Sequence, residues 1–286
     1  MQKQNGQGIE VRKQVSYATH DGVELQGDLY LPAGPGPFPV LVNVHGGYWR
    51  RGNRETFDDW GRHLAERGYA GFTVSYRTTK PGQKMYPQAV HDVRAAVQFM
   101  RGQAEEFNID PERIALFGNS AGAHLAALVA LAGDRAPFVD GYPGDPHASV
   151  STKVKVLIGV YGIYDLLGQW RHSQVVNPGD NLVESFLGVA PMQDRRCYFD
   201  ASPISYATVD NNATAVFLSW GTEDDVVDYR TQSAPFLLAL KQAGFYVRTC
   251  VMHGAPHYWL GDPIDEPGSQ SGFLAPRLLR FLGERL

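Results

Sequence analysis

The sequence has little cysteine and no concentration of positive charge. Its 286 residues include two cysteines, Cys197 and Cys250, which lie far apart and match no metal or redox spacing. We therefore expect two free thiols in a reducing compartment, with a single disulfide as the alternative. The net charge of −4 at pH 7 gives no electrostatic basis for binding nucleic acid or a membrane surface.

Long apolar runs are absent as well. No stretch of 18 apolar residues occurs, so the sequence predicts no membrane-spanning helix. The first six residues are polar and lack the apolar core of a signal peptide. These absences predict a cytoplasmic protein with neither a nucleic acid nor a membrane as partner. The histidines and carboxylates show no ligand spacing, so we expect no metal and no cofactor.

Strand-like and helix-like segments alternate along most of the chain. This order predicts an α/β fold, in which helices cover both faces of a mostly parallel central sheet. Short apolar runs predict buried strands at residues 40–44, 71–76, 113–117, 154–160, 215–220 and 246–251. Amphipathic segments predict helices at residues 57–67, 87–107, 121–131, 232–244 and 273–282.

Two segments depart from this rhythm. Residues 11–18 and 23–31 alternate between polar and apolar, and the Asp21-Gly22 pair between them is typical of a hairpin turn. Residues 164–208 have no clean period and are longer than an ordinary connection, which indicates an insertion, typically a cap over a site. We predict one domain over residues 1–286 with this cap embedded in it, and leave the oligomeric state open, a homodimer being one alternative.

The pattern Gly118-Asn119-Ser120-Ala121-Gly122 lies between a predicted strand and a predicted helix. In that setting the serine occupies a turn too tight for side chains at either glycine, and its hydroxyl stands clear of the backbone. The N–H groups that open the following helix face the same point. The pattern indicates a nucleophilic serine at Ser120, and a helix-capping serine is the alternative.

A serine nucleophile requires a base, and the base requires an orienting carboxylate. The segment after residues 215–220 resembles the G-x-x-D-x-x-V turn of α/β hydrolases, and this resemblance places the acid at Asp224. Asp225 is the alternative, whereas we expect Glu223 and Asp228 to be solvated.

The histidine of such a site follows the last strand. His257 comes after a Gly-Ala-Pro turn and corresponds to the G-x-x-H position of the same family. His253 belongs to the strand end and is interpreted as structural. His257 is therefore the predicted base.

Acyl transfer also needs hydrogen-bond donors for the oxyanion. His45-Gly46-Gly47 follows the predicted strand at residues 40–44, and glycines let the backbone turn its N–H groups inward. We predict the oxyanion hole from the backbone N–H groups of Gly46, Gly47 and Ala121. His45 is expected to brace the loop rather than to act as an acid or base.

These motifs resemble those of carboxylesterases related to hormone-sensitive lipase and to bacterial feruloyl and acetylxylan esterases, over nearly the whole chain from about residue 15. The common form of the first motif has a third glycine where this chain has Tyr48. His-Gly-Gly-Tyr-Trp and Ser120-Ala121-Gly122-Ala123-His124-Leu125 look like kynurenine formamidase of the α/β-hydrolase type.

The resemblance implies an α/β-hydrolase fold. It also implies a serine hydrolase that cleaves small to medium acyl or aryl esters through an acyl-enzyme, and hence a small-molecule ester or amide as partner. An arylformamidase or other amidase is the alternative. A catalytically silent ligand-binding protein on the same fold is less favoured, because all three members of the triad are present.

Five residues beside the motifs or at strand ends are predicted to contact the substrate: Tyr48, Trp49, Asn119, Tyr164 and Tyr258. For each aromatic residue the alternative is burial in the core. His124, on the helix after the nucleophile, is expected to be a packing residue, and Asp165 is a candidate for a substrate or cap contact.

Overall fold

The computed structural model describes residues 8–286. The first six residues, whose polar character led us to predict no signal peptide, lie outside this range. The described chain has the strands β1 (Glu10–His20), β2 (Val23–Leu31), β3 (Phe38–Val44), β4 (Ala70–Val74), β5 (Ile109–Asn119), β6 (Val156–Val160), β7 (Ala215–Gly221) and β8 (Val247–Met252). Its α-helices are α1 (Asp58–Ala65), α2 (Gln88–Gly102), α3 (Ala121–Ala132), α4 (Leu166–Val176), α5 (Leu182–Leu187), α6 (Arg195–Asp200), α7 (Ser233–Gln242) and α8 (Gln270–Arg285). Short 3-10 helices span Arg54–Phe57, Pro203–Tyr206, Val209–Asn211 and Trp259–Gly261.

The strands form one sheet in the order β1-β2-β4-β3-β5-β6-β7-β8. β1 pairs antiparallel with β2, and β2 pairs antiparallel with β4, whereas all later pairs are parallel. At the first hairpin His20 faces Val23, and both Asp21 and Gly22 have positive φ, as a two-residue hairpin turn requires. The predicted hairpin and the predicted α/β-hydrolase architecture are both confirmed.

Helices cover both faces of the sheet because successive strand residues point to opposite sides. On one face Val42 and Leu116 belong to an apolar cluster that includes residues of α2, α3 and α7. On the other face Leu41 and Phe117 pack in a second cluster with Trp60 of α1 and residues of α8. The central strands are thus apolar on both sides, which explains why they have continuous apolar runs.

The largest difference from the predicted strand starts is at β5. β5 begins at Ile109 rather than at residue 113, because Ile109 already pairs with Phe38 of β3 before the register shifts. Pro111 lies in this first part of the strand, ahead of the point at which β6 joins at Ala115. The Asp110-Pro111 pair is therefore part of the strand.

Residues 164–208 contain three helices where the sequence showed no period. These helices are α4, α5 and α6, and a 3-10 helix follows them. α5 and α6 have six residues each, which is too short to display an amphipathic stripe. The side chains of Asp165, Asn181 and Asp194 cap the three N-termini by accepting backbone N–H groups. These capping residues are the sequence signal that periodicity missed.

Two further expectations concern membrane segments and cysteines. Within residues 8–286, no helix combines the length and the apolar character needed to cross a bilayer. Cys197 and Cys250 are both free, so the disulfide alternative is wrong.

A buried ionic cluster ties the first strand to α2. The His20 ring lies between two carboxylates, with Nδ1 2.6 Å from Asp92 Oδ1 and Nε2 2.8 Å from Asp145 Oδ2. Arg77 also donates to Asp92, and the Tyr142 ring stacks on His20 at 3.7 Å between centroids. Burial disfavours the imidazolium, but the hydrogen bonds and charges of Asp92 and Asp145 outweigh it and raise the pKa of His20.

This shift makes the contribution of His20 to stability dependent on pH. Because the folded pKa is raised, the contribution is complete below the unfolded pKa of about 6.5 and is lost as pH rises through the folded value. We expect H20Q to lower the free energy of unfolding by about 1–3 kcal/mol at about pH 5.5 and by clearly less at about pH 9. Urea unfolding at both pH values measures this, with H253Q as a control because His253 is exposed. An equal loss at both pH values would contradict the prediction.

Candidate active site

Ser120 occupies the turn between β5 and α3, with φ 52° and ψ −124°. A non-glycine residue at positive φ is strained by about 1–3 kcal/mol. A Cβ on Gly118 would overlap the carbonyl of Gly122, and a Cβ on Gly122 would overlap the carbonyl of Val44. The predicted reason for both glycines is therefore confirmed: the turn leaves no space for a side chain on either flank.

His257 links Ser120 to a carboxylate. Its Nε2 lies 3.1 Å from Ser120 Oγ, and its Nδ1 lies 2.6 Å from Asp224 Oδ2. The other oxygen of Asp224 accepts the backbone N–H groups of Val226 and Val227 at 3.0 and 2.8 Å. These contacts fix the carboxylate, so it holds the Nδ1–H and leaves Nε2 free to accept a proton from the serine hydroxyl.

The two alternative residues lie away from this line of contacts. Asp225 is exposed, and its backbone carbonyl accepts a hydrogen bond from His172. His253 is exposed in the turn after β8. Within residues 8–286, the carboxylate that hydrogen-bonds to His257 is that of Asp224 alone.

Tyr161 forms the floor beneath the histidine. The centroid of its buried ring lies 4.4 Å from that of His257, and its hydroxyl accepts hydrogen bonds from Asn119 Nδ2 and from the backbone N–H of Leu260. Tyr161 is not among the five residues that the sequence predicts as substrate contacts. Its position at the end of β6, beside the nucleophile strand, is the signal that could have distinguished it.

The Gly46 N–H has a protein partner, which corrects two predictions. It donates to Asn119 Oδ1 at 2.9 Å, so it is not available to an oxyanion. The side chain of Asn119 is in turn buried and occupied by Gly46 and Tyr161, so it does not contact a substrate. Asn119 instead attaches the glycine loop to the nucleophile turn.

The N–H groups of Gly47 and Tyr48, which follow in the loop, have no such protein partner in residues 8–286. Gly47 has φ 117° and Tyr48 φ 55°, and their N–H groups donate to no acceptor within the described residues. A Cβ at Gly47 would overlap the carbonyl of Arg51, so the loop needs glycine there. The N–H of Ala121, in the first turn of α3, has no partner within its own helix.

Trp49 is fully buried, so its predicted role as a pocket wall is wrong. Its indole N–H donates to His124 Nδ1 at 3.0 Å, and its ring stacks on Phe186 at 4.6 Å. His124 Nε2–H donates to the carbonyl of Ala201 at 2.8 Å. Burial lowers the pKa of His124 to about 4, so the ring stays neutral and Nδ1 can accept. This chain of contacts joins the glycine loop, α3 and residues 164–208.

Tyr164 is also buried rather than in a pocket. It has no exposed surface, and its ring stacks on Phe236 of α7 at 4.2 Å. Its position after β6 turns the side chain into the core, which the sequence could not show. Asp165 caps α4 by accepting the N–H groups of Leu167 and Gly168, and this contact accounts for its place at the strand end.

His45 braces the loop, as expected. Its ring stacks on Tyr76 at 4.3 Å, and the Tyr76 hydroxyl donates to the carbonyl of His45. Burial lowers the pKa of His45 to about 4, so the ring is neutral.

Tyr48 and Tyr258 are the predicted contacts that line an open cavity. Its volume is about 360 Å³, and its other lining residues are Gly47, Arg50, Arg51, Asn177 and Leu182. Tyr258 is 56% exposed, and its ring lies 4.5 Å from that of His257. Burial, reinforced by the neighbouring Tyr258, raises the pKa of Tyr48, so its hydroxyl stays protonated. The sequence missed the two arginines, although they follow Tyr48-Trp49 directly.

The Trp49–His124 hydrogen bond leads to a stability prediction. W49F leaves His124 Nδ1 buried without its donor, which costs about 1–3 kcal/mol beyond the loss of ring area. W259F is the matched control, because the buried Trp259 N–H has no partner among the described residues. Urea unfolding of both variants should show the larger loss for W49F. Equal losses would mean that the hydrogen bond contributes nothing.

Comparisons with known proteins agree with this architecture. The BD-FAE family model matches residues 27–240. The probable carboxylic ester hydrolase LipM of Mycobacterium tuberculosis is 30% identical over 228 residues, which cover 79% of this chain and 49% of LipM. The chain therefore spans about half the length of such curated relatives.

Two other proteins match over most of their length. Kynurenine formamidase of Danio rerio is 27% identical over 94% of this chain and 81% of its own. The thermophilic esterase Est2 of Thermogutta terrifontis has a similar fold, with a TM-score of 0.75 at 24% identity over 96% of this chain and 93% of that chain. Since the family model covers most of the residues that build the sheet and the site, the chain belongs to the BD-FAE family.

Proposed function

We propose that this protein is a serine hydrolase that cleaves carboxylic esters with small to medium acyl or aryl groups. The observation that carries the proposal is the hydrogen-bonded line from Ser120 through His257 to Asp224. LipM, similar over most of this chain, is named a probable carboxylic ester hydrolase, which supports the same chemistry. The proposed reaction uses side chains and backbone groups of this chain together with water.

In the proposed mechanism His257 acts first as a base. Nε2 removes the hydroxyl proton while Ser120 Oγ attacks the ester carbonyl, and the imidazolium then donates that proton to the leaving alcohol. A water molecule, deprotonated in the same way, hydrolyses the acyl-enzyme. Asp224 keeps the imidazole in the required tautomer and stabilises its charged form.

We assign the oxyanion hole to the backbone N–H groups of Gly47, Tyr48 and Ala121. The first two lie on a loop at positive φ and have no acceptor among the described residues, while the third opens α3. Tyr48 thus replaces Gly46 in the set expected from the sequence. Preorganised donors of this kind are each worth about 10²–10³ in kcat.

Residues 164–208 are proposed to cap the site. Asn177 and Leu182 from this segment line the cavity together with Tyr48 and Tyr258. Arg50 after the glycine loop forms a bidentate ion pair with Asp180 in the same segment, at 2.8 and 2.7 Å. A cavity of about 360 Å³ lies at the lower end of the range for small-molecule sites, which suits a small to medium substrate.

An arylformamidase is the second candidate, because kynurenine formamidase of Danio rerio matches across 81% of its own length. The same catalytic groups serve for an amide, so the two candidates differ in substrate preference. Comparing kcat/KM for N-formylkynurenine and for a p-nitrophenyl ester separates them. A much larger value for the formamide would replace the esterase proposal.

The cytoplasmic location is a proposal from the sequence, and the free thiols of Cys197 and Cys250 are compatible with it. The homodimer stays a prediction, which light scattering of the purified protein would test.

Removing members of the triad gives the first test. We expect S120A to abolish labelling by a fluorophosphonate probe and ester turnover, and D224N to lower kcat by about 10⁴ because the histidine tautomer is no longer held. D225N is the matched control and should keep near-normal kcat, since Asp225 is exposed. Rates of p-nitrophenyl butyrate hydrolysis measure both effects. Turnover retained by S120A, or an equal loss in D225N, would refute the assignment.

Asn119 gives a test of positioning. N119A removes the acceptor for the Gly46 N–H, so the glycine loop loses its attachment to the nucleophile turn. We expect kcat to fall by about tenfold to a hundredfold with little change in KM, since the oxyanion contact forms in the transition state. N177A, which alters the cavity wall, should instead change KM. A change confined to KM in N119A would contradict this role.

A further inference from the structure

Two arginines line the cavity at the glycine loop, and only one of them has a charged partner in the part of the chain that the structure describes. Arg50 and Arg51 both line it, next to Tyr48 and Tyr258. Arg50 forms a bidentate pair with Asp180, so its charge is balanced at the cavity wall. None of the residues that line this cavity is an aspartate or glutamate.

Arg51 has no such partner. Within residues 8–286 its exposed guanidinium forms neither an ion pair nor a hydrogen bond, whereas Arg54, three residues later, is paired with Asp28. The five N–H donors of Arg51 are therefore uncommitted, and the cavity carries one unbalanced positive charge.

The stem of Arg51 is held at the oxyanion loop. Its backbone N–H donates to the carbonyl of Gly47 at 3.0 Å, and its Cγ lies 3.3 Å from the position that a Cβ on Gly47 would take. Because Gly47 is a proposed oxyanion donor and Arg51 lines the cavity, the Arg51 side chain starts beside the proposed oxyanion hole.

We propose that Arg51 selects substrates that carry a carboxylate or another anion a few atoms from the scissile carbonyl. The planar guanidinium matches a carboxylate through two parallel hydrogen bonds. The substrate class is thus half-esters of dicarboxylic acids, or esters of hydroxy acids and hydroxybenzoic acids. This inference rests on the proposed ester hydrolysis at Ser120.

Two matched pairs of esters test the inference and locate the anion. p-Nitrophenyl hydrogen succinate and p-nitrophenyl butyrate differ by a carboxylate on the acyl side, whereas 4-acetoxybenzoate and 4-acetoxybenzamide differ on the leaving-group side. The measured quantity is the ratio of kcat/KM for the charged ester to kcat/KM for its neutral partner. The neutral ester is the internal reference for any general effect of a substitution.

We expect R51Q to lower this ratio by about tenfold to a hundredfold in at least one pair, the range for a charge-assisted hydrogen bond. High salt should lower the wild-type ratio in that pair and leave the R51Q ratio nearly constant. R280Q is the matched control, because Arg280 lies far from the cavity. It is on α8 next to Phe281, and Phe281 stacks on Tyr246 at the amino end of β8, whereas the site lies at the carboxyl ends of the strands. R280Q should keep the wild-type ratio.

A fall of less than about threefold in both pairs would overturn the role of Arg51, as would a wild-type ratio that does not respond to salt. That result differs from failure of the proposed function. If S120A still hydrolysed the neutral esters, catalysis at Ser120 would be wrong. If S120A were inactive and R51Q kept the wild-type ratio, only the inference on Arg51 would fall.

Discussion

The turn at Ser120 is the constraint on which the site depends. Ser120 has a positive φ, which is strained for a residue with a side chain. Around it β5, α3 and the end of β3 come so close together that only glycine fits on either side. The Ser120 N–H also donates to the carbonyl of Val160 at the end of β6. The parallel strands β3, β5 and β6 therefore all end at this turn. Contacts with these strands hold the strained conformation of Ser120 in place.

The groups that surround the serine are connected through a small buried network. Asn119 holds the Gly46 N–H on one side and the Tyr161 hydroxyl on the other, and Tyr161 lies beneath His257. The glycine loop, the nucleophile turn and the histidine loop are thus linked by neutral hydrogen bonds in a buried environment, where such bonds are strong and their loss is costly. This network explains how three separate loops keep a common geometry.

Sequence patterns were informative where the chemistry is local. The paired glycines around Ser120 follow from the geometry of a tight turn, whereas Asp224 and His257 were located by the resemblance of the turns after two strands to those of α/β hydrolases. The patterns failed for Trp49 and Tyr164, since an aromatic residue at a strand end can face a cavity or the core with the same sequence signal.

The sequence by itself determined the alternation of strands and helices, the strained serine turn and the residues beside it, because those depend on local periodicity and backbone space. The tertiary structure alone decided which N–H groups are occupied. Gly46 and Gly47 are neighbouring glycines, but the N–H of Gly46 donates to Asn119 and the N–H of Gly47 does not. Likewise, Arg50 and Arg51 differ only in that Asp180, 130 residues from Arg50 along the chain, reaches the first and not the second. Pairing between distant segments depends on packing, and local sequence does not encode it.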